Sequence, residues 1–380
     1  MRYSSTARLK TTLIVMLLAT LGGIALTSSV YAQRIQTAID VKLVARGLFH
    51  PWGMAFLPDG RMLVTERVGR LRIVNPDGQI SDPVKGVPAV FAEQQGGLLD
   101  VALDPNFATN RLIYLSYAEP AGAAASTAVA RAELAGDTLK GLKVIFRQEP
   151  KTVGAQHFGS RLAFAPDGNL FITLGDRGNQ MEEAQNTANH IGAIIRIRPD
   201  GSIPDDNPFV KNSKAKPEIW SYGHRSVQGA AIHPETGELW IHEHGPRGGD
   251  ELNIVQAGAN YGWPKVTYGI NYNGTKLSDL QQAPGITDPI YYWDPSIAPS
   301  GLMFYSADQF PGWRGNLFVG ALKFQLLVRL ELDGQRVVHE ERLLSNEFGR
   351  IRDVRQGPDG LIYLLNDSSD GQVLRLQPVP

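Results

Sequence analysis

The chain has 380 residues, with 37 basic and 38 acidic side chains, a net charge of −1 and no cysteine. That balance argues against non-specific binding to nucleic acid or anionic membranes. The lack of cysteine excludes a disulfide framework and a lipid-anchored lipoprotein.

In chain order, residues 1–32 read first as an export signal. Arg2, Arg8 and Lys10 make a positive start, Leu13 to Leu26 is apolar, and Val30-Tyr31-Ala32 is a small-x-Ala cleavage site. The mature chain then begins at Gln33 and carries 34 basic against 38 acidic residues, or −4. A retained anchor is the rival, but the apolar run is short and holds two glycines. The expectation is an exported protein, periplasmic in a double-membraned cell, with no stable membrane insertion once the signal is removed.

After the signal, one phrase recurs six times: a proline or acidic turn, usually with a glycine, then a burst of large apolar residues. It reads Pro58-Asp59-Gly60 before Met62-Leu63-Val64, and Asp104-Pro105-Asn106 before Leu112-Ile113-Tyr114-Leu115. It returns at Pro166, Pro234, Pro311 and Pro358, so successive prolines lie 47, 61, 68, 77 and 47 residues apart. A period in that range marks units that must stack on their neighbours, as in a propeller or solenoid. In Pro-Asp-Gly, Pro fixes φ, Asp bonds its own backbone and Gly accepts positive φ. The bursts are short and rich in Ile, Val, Leu, Tyr and Phe, as buried strands are. The first repeat predicts strands at Met54–Leu57, Met62–Thr65 and Arg70–Val74, and the third predicts Arg161–Ala165 and Leu170–Thr173. The last predicts Leu361–Leu364 and Gln372–Leu376. The best helical stretch, Glu182 to His190, is short. Forty glycines and twenty-four prolines suit a turn-dense all-β chain. We expect one domain over residues 33–380, an all-β six-bladed β-propeller of four-stranded antiparallel sheets. An irregular β-sandwich is the alternative. Gly175 to Lys216 and Gly245 to Pro299 depart furthest from the repeat, and loops of that length are usually functional.

Polar residues at the repeat boundaries are the candidates for chemistry. His157 precedes the inner strand of the third repeat and has the side chain of a general base titrating near neutrality. Asp176 leaves the next strand of that repeat, where it can orient the ring and favour its protonated form. A packed or surface histidine is the plainer reading. His242-Glu243-His244-Gly245-Pro246-Arg247-Gly248-Gly249-Asp250-Glu251 is the densest cluster: its glycines let carbonyls converge, and its carboxylates are hard ligands suited to calcium. A solvated turn is the alternative, and a zinc site at His242 and His244 lacks a third ligand. Arg225, Lys323 and the pair Arg350 and Arg352 come from three repeats, and strand alternation puts Arg350 and Arg352 on one face. Converging at one mouth they would grip a ligand with several carboxylates; equally, paired arginines are often solvated.

These motifs together resemble the soluble quinoprotein sugar dehydrogenases, most closely the aldose sugar dehydrogenase branch. The resemblance rests on Gln95-Gly96-Gly97-Leu98-Leu99-Asp100, His157-Phe158-Gly159-Ser160-Arg161, Gly223-His224-Arg225, His244 through Leu252, Asn260-Tyr261-Gly262-Trp263-Pro264 and Arg350-Ile351-Arg352. It implies a propeller carrying pyrroloquinoline quinone (PQQ) and Ca2+. Gly245 and Pro246 would offer carbonyls to the calcium beside the quinone, while Glu251 and Tyr261 would hold a second, structural calcium. Arg225, Lys323, Arg350 and Arg352 would hold cofactor oxygens, with Gln95 and Tyr272 beside them. Ser226 stands where the family commonly has Asn, which bears on cofactor affinity.

The implied reaction oxidises an aldose at C1 to its lactone, with hydride transfer to the quinone, His157 as general base and Asp176 as its support. Electrons then pass to an external acceptor. Two rivals stay open: a calcium-dependent propeller lactonase, and a non-catalytic propeller that binds glycans or proteins.

Overall fold

A computed structural model describes residues 38–379, so the export signal and the Gln33 start lie outside the described residues. Six antiparallel sheets follow one another along the chain. Blade 1 is Pro51–Phe56, Met62–Glu66 and Arg70–Val74. Blade 2 is Leu98–Leu103, Leu112–Ala121, Ala124–Ala135 and Thr138–Arg147. Blade 3 is Leu162–Phe164, Leu170–Thr173, Ala193–Ile197 and Ile219–Tyr222. Blade 4 is Val227–Ile232, Leu239–Glu243, Asp250–Ile254 and Tyr291–Trp293. Blade 5 is Pro299–Phe304, Leu317–Ala321, Leu326–Asp333 and Arg336–Leu343. Blade 6 takes Ile351–Gln356, Ile362–Asn366 and Gly371–Pro378 from the end of the chain, and its outer strand, Ile39–Leu48, from the beginning.

That borrowed strand closes the ring. It pairs antiparallel from Ile39 opposite Pro378 to Leu48 opposite Gly371. The first strand of each blade lies innermost and touches its neighbours in order, until Ile351–Gln356 meets Pro51–Phe56. Closure packs each blade between two others. The six-bladed propeller is as expected, with two departures from four strands per blade. Blade 1 keeps three, its fourth reduced to a single bridge between Val74 and Ile80. Blade 2 gains Thr152–Val153 against its third strand.

The core lies between blades. One apolar layer joins Leu57, Leu63 and Leu71 of blade 1 to Leu98, Val101 and Ile113 of blade 2. The gap between blades 5 and 6 packs Phe318 and Leu327 against Ile351 and Leu364. The four other gaps are filled in the same way. Strands buried on both faces read as unbroken apolar bursts, which is why the repeat was visible. The turn recurs as well. Leu57 N–H donates to Arg61 O at 2.7 Å, and Ala165 N–H to Asn169 O at 2.9 Å; Gly60 and Gly168 sit at φ +86° and +82°.

Three stretches differ from expectation. Glu182 to His190 holds only a 3-10 turn at Met181–Gln185. The two long departures contain strands: Ala193–Ile197 in one, Asp250–Ile254 and Tyr291–Trp293 in the other. Asp250 and Glu251 broke the apolar pattern of one, while Ala193–Ile197 is an apolar burst that lacks the Pro-Asp-Gly turn before it. In the bore, Arg161 stands 3.1 Å from Asp100 and 3.2 Å from Asp353, and Arg355 is 3.2 Å from Asp353, so two cations meet two anions.

Candidate functional site

The repeat itself builds the site. His50, Gln95, His157, Arg225, Ala298 and Arg350 each stand just before the inner strand of their blade. Arg67, Asp176, His244, Leu322 and Asp367 each stand just after the second strand. These two connections meet at one end of a blade, and a backbone bond pins them together. Arg67 N–H donates to His50 O at 3.2 Å, Leu322 N–H to Ala298 O at 2.9 Å, and Asp367 N–H to Arg350 O at 2.8 Å. All eleven residues line one of two cavities, of about 480 and 360 Å3, that share Gln95.

The smaller cavity holds His157, Asp176, Arg225, Pro246, Trp263 and Tyr272. His157 sits at φ +51°, its N–H donating to Gln95 Oε1 at 2.8 Å. Its Nδ1 is 2.6 Å from Asp176 Oδ1. Asp176 is itself tied down, accepting from Gly178 N–H at 2.8 Å and from the Trp263 indole N–H at 2.8 Å. An added Cβ at Gly175 would collide with the His157 carbonyl oxygen, so glycine is what lets Asp176 come this close. With Nδ1 committed to Asp176, Nε2 is left without a protein partner among the described residues. Burial pushes the His157 ring below the ordinary imidazole value and Arg225 adds to this, while the Asp176 bond opposes it without prevailing. Asp176 was expected to favour the protonated ring; desolvation reverses the net direction, and the imidazole is neutral at pH 7. Burial pushes Asp176 up, but the hydrogen bond from His157, with Arg225 and the Gly178 N–H, outweighs it and holds the carboxylate below its ordinary value.

The larger cavity is cationic. His50, Arg67, Arg350, Arg352 and Asp367 line it, with Trp52 and Gln228. Asp367 receives Arg352 Nη2 at 2.6 Å and His50 Nδ1 at 2.8 Å, with Arg67 at 3.8 Å and Arg350 at 3.9 Å. Burial would raise Asp367, but Arg352 and its neighbours hold it well below the usual carboxylate range. Arg352 Nε is shut from solvent and has no partner. A buried donor left unmade is costly, and an anion would satisfy it.

Gly245, Glu251 and Tyr261 meet in a small pocket with Glu243, His244 and Arg225, whereas Pro246 faces the His157 cavity. Asp250 Oδ1 accepts from Gly245 N–H at 2.9 Å, and Asp250 Oδ2 accepts from Ile297 and Ala298 N–H at 2.8 and 3.0 Å, which fixes the loop. Desolvation, then the nearby Glu243 carboxylate, push Glu251 well above the ordinary value. Two carboxylates in one pocket are hard oxygen ligands of the kind calcium prefers, and Glu243 is already held by His224 Nδ1 at 2.8 Å. His242 and His244 bond separate carbonyls, those of Gly301 and Pro299, so they do not form a ligand pair.

Three candidates stand apart from these cavities or at their rim. Lys323 is exposed, its ammonium 5.3 Å from the Phe324 ring, while the adjacent Leu322 lines the larger cavity. The Ser226 hydroxyl is buried and accepts from Gln228 Nε2 at 3.3 Å. Tyr272 is 73% exposed at the lip of the smaller cavity. Residue-by-residue reading missed His50, Arg67, Asp367 and Trp263. The first three share the repeat phase of Arg350, His244 and Asp176, so phasing all six blades would have found them.

The chain belongs to the Glucose / Sorbosone dehydrogenase family, whose profile matches residues 48–375, and it is accordingly an oxidoreductase. It is 46% identical over 361 residues to aldose sugar dehydrogenase YliI of Escherichia coli, covering 93% of this chain and 96% of that protein. The crystal structure of the soluble aldose sugar dehydrogenase from Escherichia coli in the apo-form superposes with a TM-score of 0.87 at 46% identity, over 90% of this chain and all of that one. The PQQ-bound form of aldose sugar dehydrogenase from Streptomyces coelicolor gives 0.74 at 29% identity, over 90% of this chain and 98% of that one.

Proposed function

We propose that this chain is a PQQ- and calcium-dependent dehydrogenase that oxidises an aldose at C1 to its lactone. One observation carries the reading: Gln95 joins a cationic cavity to a second cavity that presents the neutral His157 imidazole. The donor set suits a quinone with three carboxylates, since Arg350 and Arg352 face a single carboxylate and Arg352 Nε lacks a partner. Arg225, Gln95, Lys323 and Tyr272 would complete its surroundings, with Ser226 behind them. The carbonyls of Gly245 and Pro246 suit a calcium beside it, and Glu251 with Tyr261 a second one.

When bound, the quinone supplies the hydride acceptor and calcium the polarisation of its oxygen. The protein's own part is the proton. Asp176 keeps the Nδ1–H tautomer of His157, so that Nε2 bears the lone pair and takes the proton of the anomeric hydroxyl. Trp263 and Gly178 hold Asp176 in place, and Gln95 holds the His157 backbone. Tyr272 and Asn271 at the lip form the side from which a sugar enters.

No helix among the described residues is long and apolar enough to cross a membrane. We read the protein as exported after removal of residues 1–32, passing electrons to an external acceptor. N-terminal sequencing of the secreted product checks the first point. For the reaction, apo-protein is mixed with PQQ and Ca2+ and dye reduction is followed with a panel of aldoses. Sugar-dependent reduction that needs both additions supports the reading. Lactone hydrolysis without PQQ, or sugar binding without turnover, would replace it by one of the two rivals.

A further inference from the structure

We propose that Arg67 is an anion-binding residue of the mouth, bringing to Arg350 and Arg352 a third guanidinium for a ligand with several carboxylates. Arg67 arrives from blade 1, across the ring closure from the other two, and lines the same cavity. Its Nη1 donates to the Gln94 carbonyl and its Nη2 lies 3.8 Å from Asp367, while Nε is shut from solvent without a partner.

The charge count separates this group from a structural ion network. In the bore, Arg161 and Arg355 are matched by Asp100 and Asp353. At the mouth three guanidiniums share Asp367, the one carboxylate among the described residues that line the cavity, leaving two positive charges unmatched. Desolvation lowers the basicity of Arg67; Asp367 opposes this, and repulsion from Arg352 and Arg350 adds to the lowering. Desolvation and Arg352 do the same to Arg350. A bound polyanion removes that repulsion and supplies acceptors for the forks. The identity of the ligand as PQQ rests on the function proposed above; the anion site rests on the charge count.

The test is binding, without sugar. PQQ is titrated into apo-protein and quenching of tryptophan fluorescence is followed, since Trp52 lines the cavity. Citrate, a tricarboxylate without redox chemistry, is titrated in parallel and read by thermal shift. Arg67→Gln is expected to raise both dissociation constants about tenfold or more, because a charge-assisted hydrogen bond is lost. Arg67→Lys is expected to fall between, keeping the charge but not the fork. If PQQ binds wild type and Arg67→Gln alike within twofold, the proposal fails while the quinone function stands. If wild type takes up no PQQ, the function falls, and the citrate series alone decides Arg67: equal stabilisation of wild type and variant, or none of either, overturns it. Should the glutamine variant not fold, Arg67→Lys decides, with binding about threefold weaker in support and unchanged binding against.

Discussion

The Trp263 indole N–H donates to Asp176 Oδ2 at 2.8 Å, on the carboxylate whose other oxygen meets His157 Nδ1. The same indole ring lies 5.3 Å beneath the Arg225 guanidinium. One aromatic residue therefore steadies both the partner of the base and a cation that adds to burial in disfavouring the protonated base. Trp263→Phe preserves the ring and removes the N–H. A hydrogen bond to a charged group is worth about 1.5–3 kcal/mol, so kcat should fall about ten- to hundredfold with little change in KM. Steady-state kinetics at saturating PQQ and Ca2+ would show it; unchanged kcat would separate Trp263 from the dyad.

His157→Ala should retain PQQ, because the residue makes none of the cationic face. Turnover should drop about 10²–10⁴-fold. Asp176→Asn keeps the shape of the pair but allows the ring its other tautomer, so a loss of similar order is expected. Equilibrium dialysis of PQQ alongside kcat distinguishes lost chemistry from lost cofactor.

Activity should rise with pH along a limb whose midpoint lies below the ordinary imidazole value of 6.5, since burial and Arg225 lower His157. The base works deprotonated, so a depressed value extends activity toward acid. Arg225→Gln removes a positive charge that disfavours the imidazolium; the His157 value rises and the limb moves to higher pH. A kcat/KM profile of both proteins checks the direction, and a shift toward acid in the variant would contradict it.

Calcium should stabilise the fold apart from any role in turnover. Glu251 and Glu243 line one pocket with Gly245 and Tyr261, where burial and then the Glu243 carboxylate push Glu251 up. A ligand at a hundred times its Kd adds about 2.7 kcal/mol, which should appear as a rise of several degrees in melting temperature, reversed by chelation. In Glu251→Gln most of that calcium-dependent rise should be lost. Calorimetry with and without chelator settles it.

Truncating the mature chain through residue 48 should be severely destabilising. It removes the outer strand of blade 6, exposes the edge of Gly371–Pro378 and uncovers Leu374 and Leu376. The expected product is aggregated or melts well below wild type, as a thermal melt of both proteins would show.

Much of this was legible in the residues. Pro58-Asp59-Gly60 and Pro166-Asp167-Gly168 marked blades because turn chemistry and doubly buried strands are local properties. Ile39–Leu48 was not legible: it alternates, carries Asp40, Lys42 and Arg46, and finds its partner more than three hundred residues away. Asp250–Ile254 was read as loop because its polar start holds the neighbouring backbone. His157 and Asp176 were found as separate candidates, and their 2.6 Å contact follows from the sharp passage at Gly175. The neutral state of His157 depends on how deeply it is enclosed, which no motif encodes. Trp263 was quoted within its motif without a role, since its partner lies 87 residues earlier.

The chain passes from its closing strand into blade 1 through Phe49 and His50. His50 is fastened there to the last blade, by its N–H to Ser368 O at 2.8 Å and its ring to Asp367. Whatever fills the arginine-lined cavity thus straddles the seam where the two termini of the fold are stitched together. Loading the site should act as a clasp, so that spontaneous unravelling from the N-terminal side becomes slower once the occupant is in place.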